Sequence, residues 1–147
     1  MSEPIPAEFK RTTCACSECV KCCKRQAGPL TGGDMERIAA HLGESVEDAK
    51  RHFCASPGAL VRVDGKTVRV GSITPKMRRG RCVFLNEHDR CSIHAVAPFG
   101  CAYFDVHMSK ATAMPRSLWL VKQCAQPSYQ QLRNDLDYAT SYRPIEY

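Results

Sequence analysis

The chain has 147 residues, 44% of them hydrophobic and only 7% aromatic, with ten cysteines and a formal net charge of +6. That length supports one domain with a modest core and excludes two comfortable ones. So many cysteines beside so few aromatics indicate that cysteine chemistry supplies part of the cohesion that apolar burial otherwise provides.

Residues Met1 to Glu8 show no charged leader followed by an apolar stretch, and no apolar run reaches the ~18 residues of a membrane span. The expectation is a cytoplasmic protein with no membrane partner. Thiols stay reduced in that compartment, so the cysteines read as metal ligands rather than as a disulfide framework. Residues 14–138 form the expected cysteine-cluster metal-binding domain, between an N-terminal tail, 1–13, and a C-terminal tail, 139–147.

In chain order, Cys14, Cys16, Cys19, Cys22 and Cys23 crowd the front. Cys16 to Cys23 read C-x2-C-x2-C-C, and a two-residue spacer lets neighbouring thiolates converge on one metal or cluster. Adjacent Cys22 and Cys23 cannot easily point the same way, so they serve two centres, or one centre and one structural contact. Cys14 lies outside the spacing and is either a spare ligand or an exposed thiol.

Thr31 as N-cap, with Asp34 three residues on, opens a helix whose apolar positions are Met35, Ile38, Ala39 and Leu42 and which Gly43 ends. Ser45 repeats the cap signal before a short helix with Val46, Ala49 and Phe53 on its apolar face; Cys54, beside Phe53, reads as a packed core thiol. Asp64-Gly65 then separates two β-rich runs and suits a type I′ turn, with Val63 opposite Lys66 and Val61 opposite Val68. Pro75 to Arg81 reads as a basic loop, Cys82 to Leu85 as a short strand returning at Cys91-Ser92-Ile93, and Leu118 to Val121 as a strand or buried segment. Ser128, with Gln131 three residues on, opens a last helix bearing Tyr129, Leu132 and Leu136. These elements give an α+β class: a small, irregular, metal-stabilised domain with short helices and a β-hairpin.

The front run and the residues after it resemble the YkgJ-type cysteine-cluster proteins, a family of zinc- or iron-chelating domains. The resemblance covers residues 14 to 126: Leu30-Thr31, Asp34, Arg37-Ile38-Ala39 and Leu42-Gly43 come after the motif, then Cys82-Val83-Phe84-Leu85, Cys91-Ser92-Ile93-His94, Ala97-Pro98, Cys101-Ala102 and Cys124. His94, Ala97 and Ala102 depart from it, standing where the family has Tyr and two Arg. The resemblance also implies a metal-dependent enzyme as an alternative, of redox or methyl-transfer type on a protein or small-molecule substrate, since a flagellin lysine methylase looks like a larger relative.

With Cys14 and Cys54 set aside, Cys16, Cys19, Cys22, Cys23, Cys82, Cys91, Cys101 and Cys124 remain as candidate ligands, enough for two four-sulfur sites. Zinc suits tetrahedral sulfur. An iron–sulfur cluster is the rival, because Cys16, Cys19 and Cys22 have ferredoxin-type spacing and a fourth ligand could come from Cys101 or Cys124. His94 reads as a neighbour of the site or a surface residue, and His88 as solvated. Glycine-loop, Gly-x-Ser-x-Gly and His-Glu-x-x-His motifs are absent, so any catalysis would run through the metal.

Lys76, Arg78, Arg79 and Arg81 could face a nucleic acid, as in a zinc-dependent nucleic-acid-binding module. The favoured reading is charge balance. Each four-thiolate zinc site carries about −2, and two of them bring the chain to about +2. Lys21, Lys24 and Arg25 beside the front motif fit the same role by favouring thiolates.

Overall fold

The computed structural model describes residues 3–12, 16–25 and 27–139, without the side chains of Cys22, Ala59, Leu60, Val61 and Val63. The front motif forms α1 (Ser17–Cys23), followed by α2 (Asp34–Leu42) and α3 (Val46–Ala49). A long hairpin, β1 (Phe53–Val63) and β2 (Lys66–Pro75), leads to a two-residue pair, β3 (Met77–Arg78) and β4 (Arg81–Cys82). Three helices close the order: α4 (Phe99–Ala102), α5 (Lys110–Cys124) and α6 (Pro127–Asn134). This is the small α+β domain that the sequence leads one to expect.

The start of α2 differs from expectation. Gly33 is its N-cap and no side chain caps it. Instead Asp34, the first helical residue, turns its carboxylate back: Oδ2 accepts from Thr31 N at 2.7 Å and from Phe99 N at 2.8 Å, while Oδ1 pairs with Arg37. A buried carboxylate needs such donors, and this one is only 1% exposed. Gly43 ends the helix as expected, in the left-handed conformation at φ 70°.

Ser45 caps α3 through a bond from Asp48 N. That helix stops at Ala49, and a 3-10 turn, Lys50–His52, carries the chain into β1. Phe53 therefore enters the core from a strand, not from the helix face expected of it, and Val46 stays exposed.

The hairpin register is the expected one, Val63 opposite Lys66 and Val61 opposite Val68, with Asp64 and Gly65 both at positive φ (51° and 76°). Pairing extends down to Phe53 and Pro75, across an irregularity between Ser56 and Ala59. The tip is solvated and the base buried: Arg62, Thr67 and Arg69 are exposed, whereas Phe53, Ala55, Ser56, Ile73 and Thr74 are buried. Ser56-Pro57-Gly58 interrupts the alternation, which hid the base from pattern reading.

The basic loop is the second, minimal hairpin, its turn made by Arg79 and Gly80 at φ 53° and 73°. Of the strand expected over Cys82 to Leu85, only Arg81–Cys82 and an isolated Leu85–Cys91 bridge are β. The reason is local: Phe84 and Leu85 turn their N–H groups back to the Cys82 sulfur, and Leu85 N also reaches the Cys82 carbonyl.

Leu118 to Val121 lie in the middle of α5 and are helical, with Arg116, Leu120, Gln123 and Cys124 buried along one face. Pro115 inside the helix broke the sequence signal. The last helix begins two residues earlier than expected, with Gln126 rather than Ser128 as N-cap and Pro127 in the first turn.

Two aromatic groups centre the core. Phe53 packs against Phe84 and His52 at centroid distances of 5.8 and 6.4 Å, and Phe99 against Tyr103, Phe104 and Trp119 at 4.7 to 5.8 Å. Phe9 joins the second group and lies under the Arg116 guanidinium, which also donates to the Lys10 and Tyr103 carbonyls. The chain ahead of the cysteine motif is thereby packed against the domain.

Candidate metal centre

Cys16 precedes α1, its carbonyl accepting from Val20 N, and Cys19 lies in the first turn of that helix. The Cys16 sulfur lies 3.4 Å from His107 Nε2, and the Cys16, Cys19 and His107 donor atoms all lie within 4.8 Å of one another. His107 is exposed. Asp105 sets its place: one carboxylate oxygen accepts from His107 N at 2.9 Å and the other from Thr12 Oγ1 at 2.6 Å, tying this loop to the chain just ahead of the motif. The hydrogen bond with Cys16, and then its charge, raise the imidazole pKa. His107 was not among the candidates read from the sequence, since no local pattern links it to a cysteine 91 residues away.

A second group forms where the end of α1 meets the later loops. Cys82 and Cys101 each feel the charge of Cys23 and of Cys91, and Cys101 feels that of Cys82. Burial, the largest cause, pushes the Cys82 thiol up to about 12, Cys101 well above the ordinary thiol value, and Cys91 upward. Amides oppose this: Phe84 and Leu85 donate to Cys82, Ile93 to Cys91, and Gly28 to Cys101 at 3.1 Å. Cys82, Cys91 and Cys101, each met by backbone N–H groups, suit negative charge as soon as a cation arrives to balance it.

The backbone around this group has no room to spare. A Cβ on Gly28 would run into Gly100 and Cys101, and one on Gly100 into Pro29. Gly100 N also bonds the Pro29 carbonyl at 2.9 Å. Beside the group, Asp89 joins Lys24 at the end of the front motif (2.8 Å) to Arg81 ahead of Cys82 (2.6 Å). Both cations hold the Asp89 carboxyl below the usual carboxylate range. Arg78, Arg79 and Arg81 line an open cleft of about 420 Å³ with Cys82, Val83 and Leu85.

Cys54 and Cys124 lie elsewhere. Cys54 is buried in the hairpin base, 3.6 Å from Thr74 Oγ1, as a core thiol. Cys124, at the end of α5, faces the Leu30 carbonyl and the Tyr129 hydroxyl, with Asp34 and Arg133 as its charged neighbours, and burial pushes it up to about 11. Cys14 and the Cys22 side chain lie outside the described residues. His94 and His88 are exposed.

Sulfur donors drawn from both ends of a small α+β chain define a metal-chelating cysteine-cluster domain. The CxxCxxCC family model, described as "Putative zinc- or iron-chelating domain", matches residues 15–125, and the chain belongs to that family. No curated protein and no solved structure matches the sequence. Among the described residues no helix is long and apolar enough to cross a membrane.

Proposed function

We propose that the domain binds a zinc ion through Cys23, Cys82, Cys91 and Cys101, and that this ion is part of its fold. What supports the reading is that backbone N–H groups meet the Cys82, Cys91 and Cys101 sulfurs, that Cys82 is buried, and that Cys23 lies near enough to Cys82 and Cys101 to raise both thiols. Without a cation such sulfurs stay protonated. With one they become thiolates whose charge the amides and the metal share, which is the chemistry of a structural four-sulfur site. The ion would staple α1 to the Cys82–Cys91 turn and to α4, three segments far apart in the chain.

Cys124 is assigned to the core rather than to the metal, because its neighbours are Leu30, Tyr129, Asp34 and Arg133. The basic segment is assigned to charge balance: Lys76 is paired with Asp137 and Arg81 with Asp89, which leaves fewer cations for a nucleic-acid backbone.

The test is metal analysis and optical spectroscopy of protein purified anaerobically, beside a Cys101→Ser variant. Colourless, zinc-bearing protein that loses an equivalent of metal and melts at lower temperature in the variant supports the reading. Brown protein with sulfur-to-iron absorption assigns the same sulfurs to a cluster instead, and a variant with unchanged metal and melting overturns the site.

A further inference from the structure

We infer that Cys16, Cys19 and His107 form a second, solvent-facing metal centre of mixed sulfur and nitrogen donors, suited to a single zinc-class divalent ion. It draws on the proposed function only for the count of ions, since no residue is shared with the buried group.

Tetrahedral zinc, with Zn–S about 2.3 Å and Zn–N about 2.05 Å, holds a sulfur and a nitrogen donor about 3.5 Å apart. The Cys16 sulfur and His107 Nε2 are 3.4 Å apart. That distance alone would also suit a thiol–imidazole hydrogen bond, as in a nucleophilic cysteine site. A nucleophilic pair requires only two groups, however, and here the Cys19 sulfur shares the same 4.8 Å sphere. Three soft or borderline donors converging on one point is the requirement of a metal.

The supporting structure agrees. Asp105 holds the His107 backbone and Thr12 with its two oxygens, and Thr12 N bonds the Ala102 carbonyl at 2.8 Å, so one carboxylate ties the loop that carries His107 to the chain at Thr12. The motif is thereby divided: the donors of its first two cysteines gather with His107, and its last cysteine lies near Cys82 and Cys101. Because His107 is exposed, this centre exchanges its ion with solvent faster than the buried one.

The test is titration of the metal-free full-length protein with Co²⁺, read by its d–d and sulfur-to-cobalt bands, with Zn²⁺ displacement to count sites. The expectation is two ions per chain. His107→Ala should remove one and leave the band set of the four-sulfur site intact, and His107→Cys should restore the second ion with stronger sulfur-to-cobalt absorption. A coloured chelator should remove the His107-dependent ion first. Two ions bound identically by His107→Ala, or a single ion indifferent to that substitution, would overturn the inference while leaving the buried site standing. Loss of the four-sulfur spectrum in Cys101→Ser, with the His107-dependent bands kept, shows that the two centres are independent; an unchanged spectrum there counts against the proposed function alone.

Discussion

The Gly28 amide donates to the Cys101 sulfur at 3.1 Å, joining residues 73 apart in the chain. This contact brings the segment leaving the front motif onto the turn that carries a later cysteine, and it requires that neither Gly28 nor Gly100 have a side chain.

Gly28→Ala should therefore be costly for packing reasons, about 1–3 kcal/mol, because a Cβ there meets backbone that cannot step aside. Gly43→Ala is the control: open space surrounds its Cβ, but φ is +70°, so only the left-handed strain of about 1 kcal/mol applies. Urea unfolding of both variants should show the larger loss at Gly28, and in that variant alone a weaker hold on metal. Equal losses with equal metal affinity would contradict the close-approach argument.

Removing metal should loosen the domain more than its core would suggest, since the binding free energy of a structural site is folding free energy. Chelator-treated protein is expected to melt at lower temperature and with less cooperativity, the N–H groups of Phe84, Leu85 and Ile93 exchanging fastest. Superimposable melting curves with and without metal would count against a structural ion.

The pH dependence has a definite sign. An unfolded cysteine ionises near about 8.5, whereas burial holds folded Cys82 up to about 12 and Cys101 higher than the ordinary value. Above the unfolded value the metal-free fold keeps protons that the unfolded chain releases, so the stability fully present at neutral pH is lost as pH rises toward the folded value. Metal-bound thiolates have no such protons to keep, and that form should weaken instead on the acid side, where thiols reclaim protons and release the ion. Urea midpoints measured across pH for both forms should bend in opposite directions.

Asp34→Asn leaves an acceptor but removes the charge that Thr31 N, Phe99 N and Arg37 share. A hydrogen-bonded buried carboxylate of this kind is worth about 2–3 kcal/mol. Denaturation should register that loss even in metal-free protein, because Asp34 touches no sulfur of the buried group. A loss seen only in the metal-loaded form would place its role at the metal.

Replacing Lys76, Arg78, Arg79 and Arg81 together by Ala should lower metal retention and leave any nucleic-acid binding weak and insensitive to salt. Counterion release makes phosphate contacts visible as a salt slope. A steep slope in the unmodified protein, abolished in the variant at constant metal content, would reverse the assignment of these side chains.

Much of the local structure was legible before folding because it depends on residues next to one another. Asp64-Gly65 set a hairpin register by turn chemistry, Gly43 closed a helix by its freedom at positive φ, and the C-x2-C spacing announced metal chemistry. Helix α5 was obscured by Pro115, and the hairpin base by Ser56-Pro57-Gly58, since each interrupts a period that tertiary burial later overrides. Which sulfurs meet which partners was decided only in three dimensions. Cys16 and Cys19 face His107, Cys23 faces the later loops, and Cys124, spaced like a ligand, lies against Tyr129 and Leu30. Those outcomes depend on the interlocked Gly28 and Gly100 backbones and on two carboxylates, Asp34 and Asp105, that bridge distant segments. A contact between residues far apart in the chain has no sequence period, so only the packed structure can specify it.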